Sequence, residues 1–347
     1  MWNYNIQTFS RRPFQFSRQY GSLILNCLLT LMCPLNCLFA QSAVEQVHIA
    51  PRTNLLERTP DKPLNTREKP FLSRVDLVLV PVSVSDPLNH LVLGLAKENF
   101  QIFDNKELQS IDHFSSEDVP ISLVIVLDTS ASMASNNKIG NAREAVLELL
   151  NTSNPQDEVL LITVADKPEL QSVFTSSIEN IQSALFKPLV RGSTALLDGI
   201  YLAISQMKHA KYSRKALLII SDGGDNHSRY GEREIVDLVK ESDVIIYSLG
   251  IYDQYFQSEE ERLGPQLLSD VSELTGGRLF TVNNPNGLAN VASSIGAELR
   301  SQYVLGYSLK TPLRDGKWHK IKVKFLRPKG LPRVQVNARK GYYAPSR

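Results

Sequence analysis

The run Ile121 to Leu127, which follows Pro120 and stops at an acid, constrains this chain more than any other segment. Seven residues, leucine-rich and β-branched, read as a strand buried on both faces. Directly after it stand Asp128-Thr129-Ser130-Ala131-Ser132. A carboxylate and two alternate hydroxyls around a tight turn present three hard oxygen groups. Such oxygens suit Mg²⁺, Ca²⁺ or Mn²⁺ and not zinc or copper.

Similar runs recur downstream and alternate with helical periods. Strands are expected at Ser122–Leu127, Glu158–Ala165, Lys215–Ser221, Val244–Gly250 and Arg278–Val282, with a short antiparallel edge at Leu170–Phe174. Helical spacing falls at Ile139–Asn151, Ser177–Phe186, Leu196–His209, Glu232–Glu241, Pro265–Thr275 and Leu288–Ser301. This alternation predicts an α/β fold. Two loops of the array carry further oxygen donors. Gly192-Ser193-Thr194 opens one helix, and the run Lys215 to Ile220 ends in Ser221-Asp222-Gly223-Gly224-Asp225.

Taken together, Asp128-x-Ser130-x-Ser132, then Thr194, then Asp222 resembles the metal-ion-dependent adhesion site of von Willebrand factor type A (VWFA) domains. The resemblance covers roughly residues 118 to 300. Gly94-Leu95…Asn99-Phe100 before it and Tyr303-Val304-Leu305-Gly306-Tyr307 after it are similar to the secreted bacterial VWFA-related group. The resemblance implies a doubly wound, Rossmann-like sheet in which the strands ending at Asp128 and Asp222 lie side by side, with the Thr194 loop above them. It also implies that Ser130, Ser132 and Thr194 give hydroxyl oxygens to Mg²⁺ (or Mn²⁺ or Ca²⁺), while Asp128 and Asp222 act mainly through water. One coordination position is then left for an Asp or Glu carboxylate of a partner protein. Asp198 and Asp225 are read as structural acids beside the site. Asp128 or Thr194 alone would be read as a helix cap.

The flanks set the domain plan: 1–40 a signal peptide, 41–73 a flexible linker, 74–117 an N-terminal β segment, 118–302 the VWFA domain, 303–347 a C-terminal β segment. Arg11, Arg12 and Arg18 precede the apolar stretch Ser22 to Phe39, and Ala40 offers a cleavage point. The mature protein is expected to keep no membrane span and to be exported, to the periplasm, the cell surface or the medium. Ser10-Arg11-Arg12-Pro13-Phe14 looks like a twin-arginine signal, but arginine pairs are common in such regions. Cys27, Cys33 and Cys37 all fall in this segment, so the exported chain would carry no disulfide or cysteine nucleophile.

A valine-rich strand from Val75 to Ser85 and a hairpin running from Phe100 to Phe114 are too few strands for a sheet of their own. Strands at Tyr303–Leu309, His319–Leu326 and through Val334 and Val336 offer partners, so one small β-sandwich is expected from both flanks. Two separate β appendages are the alternative. The lysines alternating along His319–Leu326 read as the solvated face of a half-buried strand.

Charge is nearly balanced at +2, and without the three early arginines it becomes about −1, which gives a nucleic-acid partner no bulk electrostatic support. No Walker loop, Gly-x-Ser-x-Gly elbow or His-Glu-x-x-His occurs, and His48, His90, His113, His209, His227 and His319 are scattered. The chain is therefore read as a binding or adhesion module and not an enzyme. A metal-dependent phosphoester hydrolase and a structural envelope protein are the alternatives. Tyr252, Tyr255 and Phe256 are candidates for a partner-binding rim or for burial under their own loop.

Overall fold

The computed structural model describes residues 77–252, 259–282, 287–309 and 315–344. The chain divides into Met1–Lys69 and Pro70–Arg347, and every described residue belongs to the second unit. The expected signal peptide and linker lie outside the described residues.

Four strands come first: β1 (Leu77–Ser85), β2 (Phe100–Asp104), β3 (Glu107–Gln109) and β4 (His113–Ser115). The α/β array follows as β5 (Ser122–Asp128), α1 (Lys138–Asn151), β6 (Glu158–Val164), β7 (Pro168–Leu170), α2 (Ile178–Leu185) and α3 (Leu196–Gln206). It continues through β8 (Lys215–Ser221), α4 (Glu232–Glu241), β9 (Val244–Ile251), α5 (Glu259–Thr275), β10 (Leu279–Val282) and α6 (Leu288–Arg300). Last come β11 (Tyr303–Ser308), β12 (Trp318–Phe325), β13 (Gln335–Ala338) and β14 (Gly341–Tyr343).

The central sheet has the order β10-β9-β8-β5-β6-β7, parallel except for the edge strand β7. Side chains alternate across a strand, and both faces of this sheet are covered. Leu123, Ile125 and Leu127 of β5 pack with Ala142, Val146 and Leu149 of α1 and with Ile295 and Leu299 of α6. Val124 and Val126 point the other way, into Leu196, Ile200 and Ala203 of α3 and Leu268 and Val271 of α5. Two buried faces explain why these strands show continuous apolar runs.

The flanks do form one sandwich. One sheet runs β13-β1-β11-β4 and the other β14-β12-β2-β3. Val80, Val82, Phe100, Ile102, Tyr303, Leu305, Tyr307 and Ile321 share a single core between them. The α/β domain is thus inserted between β4 and β11. Several sequence readings shift. The expected edge strand Leu170–Phe174 is regular only earlier, as β7, where Pro168, Glu169 and Leu170 pair with Val164, Thr163 and Ile162. Beyond it the pairing with β6 goes on irregularly, with Gln171 and Ser172 N–H both on Leu161 O and Thr175 bridging Val159. The hairpin ends at Gln109, and β4 crosses to the other sheet to pair with β11. Helix α5 starts at Glu259, six residues before Pro265, so the proline sits inside the helix and does not open it.

The two domains meet at buried polar contacts. Glu298 of α6 accepts from Ser83 Oγ at 2.6 Å, from Tyr247 Oη at 3.2 Å and from Arg278 Nη2 at 2.7 Å. Arg278 Nη1 also donates to Asn89 Oδ1 at 2.6 Å.

Candidate metal centre

Strands β5 and β8 are in register, with Leu127 opposite Ile220, so Asp128 and Ser221-Asp222 emerge together at their carboxyl ends. On one side of this point the chain proceeds to β6, and on the other to β9. A crevice opens at such a reversal of strand order. The carboxylate of Asp128 is held by two donors: Ser130 N–H at 2.9 Å to Oδ1, and Ser221 Oγ at 2.6 Å to Oδ2. The first of these closes an Asx-type turn. It presents the Ser130 and Ser132 hydroxyls together, 3.1 Å apart. Met133, fully buried in the turn that follows, anchors the segment to the core.

The Thr194 loop is sewn to both neighbours by backbone. Arg191 N–H donates to Thr129 O at 3.0 Å and Ala131 N–H to Gly192 O at 3.0 Å. On the other side Thr194 N–H donates to Asn226 Oδ1, and Asn226 and His227 N–H return to Thr194 O at 3.0 and 3.1 Å. Asp128, at the end of β5, and the other four expected residues, on three adjoining loops, therefore lie at one end of the sheet. Asp128, Ser130, Thr194 and Asp222 are buried, and Ser132 is half-buried.

Charge is concentrated here. Burial, and then the neighbouring Asp222 charge, push the Asp128 carboxyl up to about 7, against the hydrogen bonds from Ser130 and Ser221. Lys138, in the first turn of α1, places Nζ 3.2 Å from Asp222 Oδ2, and both side chains are at most 3% exposed. Asp222 Oδ1 is buried with no hydrogen-bond partner among the described residues. So is the hydroxyl of Tyr252, whose ionisation is pushed up by burial and by the Asp222 charge.

Asp225 and Asp198 act within the scaffold. Asp225 Oδ2 accepts from Leu197 N–H at 2.8 Å at the start of α3 and from Ser228 Oγ at 2.6 Å. Asp198 accepts from the backbone of Arg229 and Tyr230 and from Arg229 Nε at 3.0 Å. His227 is exposed. Tyr252 is half-buried against the core on the α3–α5 side, while Tyr255 and Phe256 lie outside the described residues. Sequence reasoning passed over Lys138, Ser221 and Asn226. Ser221 stood beside a candidate ligand and was legible. A lysine at a helix start carries no signal of burial.

The Asp222 loop rests on a close backbone crossing. Gly223 has φ +81°, and a Cβ on Gly264 would come within 2.6 Å of Gly223 Cα and 2.8 Å of Asp222 O. Gly264→Ala is expected to displace Asp222 and to cost about 1–3 kcal/mol of stability, typical of overpacking. Urea unfolding of the metal-free protein measures the cost, and metal titration measures the displaced loop.

Among the described residues no group of three or more His, Cys, Asp or Glu is placed to hold a metal, so a cation site here must draw on hydroxyls. Two adjacent serine hydroxyls, a buried carboxylate and an orphaned carboxylate oxygen form a hard-oxygen set that fits a small divalent cation. A groove of about 340 Å³ runs from Thr129 past Asp166, Lys187 and Arg191 beside this set.

Residues 123–224 match the model of the von Willebrand factor type A domain. The chain is 26% identical to an uncharacterized protein of Borreliella burgdorferi over 185 residues, 47% of this chain and 54% of that relative. It thus spans about half the length of that relative. Among solved structures it is similar to a von Willebrand factor type A protein from Catenulispora acidiphila, at 12% identity and TM-score 0.46, covering 80% of this chain and 75% of that one. It is also similar to proximal thread matrix protein 1 of the mussel byssus with a zinc-occupied MIDAS motif, at 19% identity and TM-score 0.47, covering 57% and 50%. The chain carries a von Willebrand factor type A domain in its α/β half.

Proposed function

We propose that the protein is an exported recognition or adhesion module in which Asp128, Ser130, Ser132, Thr194 and Asp222 hold Mg²⁺, with Mn²⁺ or Ca²⁺ as substitutes. The observation that carries this reading is the orphaned Asp222 Oδ1, buried near Asp128, whose turn presents the paired hydroxyls of Ser130 and Ser132. A buried carboxylate oxygen left without a partner costs free energy, and a cation or a water on that cation repays it. A divalent ion bound here supplies a positive centre that an Asp or Glu carboxylate of a partner protein can ligate. The chain's own residues do the rest. Ser221 and the Ser130 amide orient Asp128, the Asn226 contacts hold the Thr194 loop over the turn, and the groove by Lys187 and Arg191 receives the partner's neighbouring residues. Binding without turnover is part of this proposal.

Calorimetry of the purified protein with MgCl₂ or MnCl₂ is the direct test, paired with capture of partners from the native envelope with and without chelator. Ser130→Ala is expected to weaken metal binding at least about tenfold and to abolish chelator-sensitive capture. Metal uptake unchanged in Ser130→Ala, or absent at millimolar concentration in the unaltered protein, would sink the proposal.

A further inference from the structure

Charge is spread unevenly along this chain. From Gly316 to Arg347 there are ten Lys and Arg and no Asp or Glu. The whole chain has 38 basic and 36 acidic residues, which leaves 28 against 36 for the remainder. Such asymmetry points to an anionic partner for the basic part. Two of the ten already face acids of the α/β domain: Arg339 pairs with Asp243 at 3.0 Å and Lys340 with Glu273 at 2.8 Å. Lys320, Lys322 and Lys324 of β12 are different. All three are exposed, and none of their ammoniums has an acid partner among the described residues.

Strand pairing settles which side chains share their face, because directly opposed residues of neighbouring strands point to the same side. Lys322 is opposite Phe103, and Phe103 is opposite Leu108. Lys324 is opposite Gln101, and Lys320 is opposite Gly341. Trp318 is opposite Tyr343 and meets it edge to face at 5.2 Å, its ring lying over Gly341 where a Cβ would collide with it. The acids of these four strands, Asp104 and Glu107, are opposite each other and turned to the core side, as Ile102 is. The outer face of β14-β12-β2-β3 thus carries three cations spaced about 6.7 Å apart along one strand. It holds no anion. Around the cations stand Phe103 and Trp318, half-buried, and Leu108 and Tyr343, exposed.

We propose that this face docks the protein on an anionic lipid bilayer. A bilayer surface carries phosphate charge with hydrocarbon directly beneath it. The lysines reach the phosphates while their stems and the neighbouring rings stay at the boundary, where Trp and Tyr are favoured. Leu108, 60% exposed on the edge strand, is placed to enter the apolar layer. Phe103 and Leu108, next to the lysine row, fit such a layer and offer nothing to a hydrated acidic polymer. Neither the metal nor its crevice takes part.

Trp318 reports on this face directly, because the chain's other tryptophan is Trp2. The test titrates the full chain, carrying Trp2→Phe, with vesicles of phosphatidylglycerol or of phosphatidylcholine. Trp318 emission should shift to the blue with phosphatidylglycerol, stay unchanged with phosphatidylcholine, and lose its shift at high salt. Lys320→Gln, Lys322→Gln and Lys324→Gln together are expected to raise the phosphatidylglycerol required at least about thirtyfold, the scale of three lysines at an anionic leaflet. The corresponding triple Arg variant keeps the charges and should stay within about threefold. Unchanged binding by the triple Gln variant, or an equal shift with phosphatidylcholine, overturns the proposal. So does vesicle binding that leaves Trp318 emission unmoved, since another part of the chain is then the anchor. A Trp318 response to dextran sulfate without one to vesicles makes the face a site for a soluble acidic polymer and overturns the lipid assignment.

Discussion

Asp128→Asn is expected to weaken Mg²⁺ binding by about 10- to 100-fold and, in the same molecule, to raise the melting temperature of the metal-free protein at pH 8. The two effects have one origin. The amide keeps an oxygen for the Ser130 N–H and nearly the same volume, so the turn survives. What disappears is a buried negative charge beside Asp222, and that charge is what attracts a cation and what burdens the empty fold.

The pH dependence follows from the same residue. Asp128 has its carboxyl pushed from 3.8 up to about 7 by burial and by Asp222. Between those values the folded chain holds a proton that the unfolded chain has released. The stability of the metal-free protein therefore falls as pH rises through this window, and it stays low above it. Metal binding needs the ionised form, so affinity should climb with pH up to about 7 and then level. Thermal unfolding from pH 5 to 8, with chelator and with millimolar Mg²⁺, checks both signs. With chelator the melting temperature should drop toward pH 8 by several degrees, a few degrees per kcal/mol being the scale for a domain this size. With Mg²⁺ the drop should largely vanish, and in Asp128→Asn the chelator curve should be flat. A curve that rises with pH in chelator contradicts this account of Asp128.

Glu298→Ala is expected to be the most destabilising single change among the described residues, at about 3–5 kcal/mol. Glu298 is 1% exposed and is the common acceptor for Ser83, Tyr247 and Arg278. Truncation leaves the Arg278 guanidinium, itself 13% exposed, without its carboxylate, and leaves the Ser83 and Tyr247 hydroxyls without an acceptor. Because Ser83 belongs to the sandwich and Tyr247 to the α/β sheet, the loss should appear in both domains. Chemical denaturation followed at probes in each domain measures it. Glu298→Gln, which keeps an acceptor but drops the charge, should fall between the two. A cost below about 1 kcal/mol for the alanine variant would show that the cluster is solvated and not structural.

Much of this architecture was legible because period and burial agree. Helices α1, α3 and α4 and strands β6, β8 and β9 lie within a few residues of the positions their patterns imply. The site pattern was legible for a different reason. Oxygen-bearing residues cluster just beyond the apolar runs, and the strand order brings those ends together. Legibility failed where the environment is set by distant chain. Lys138 stands one residue before the helix expected at Ile139–Asn151 and Glu298 is a polar position within the one expected at Leu288–Ser301, yet both have buried partners 84 and 215 residues away. The three-residue strand β14 has too few positions to show alternation, and it exists because Trp318 and Lys320 pair with Tyr343 and Gly341. Pro265 looked like a helix opener, as prolines often are, yet α5 runs through it.

The order of strands in the sandwich also dictates the order in which the molecule can assemble. β1 lies between β11 and β13, and from its own side of the chain it meets only Leu91 and Val92, at its last two residues. During synthesis the rest of it must wait, unpaired, until Tyr303 has emerged, while the whole inserted domain is made and can fold around its own strands. A ribosome stalled before that residue would display valine-rich Val80 to Val84 as a bare sheet edge, and that exposed ribbon is where a chaperone or a second nascent chain would first take hold.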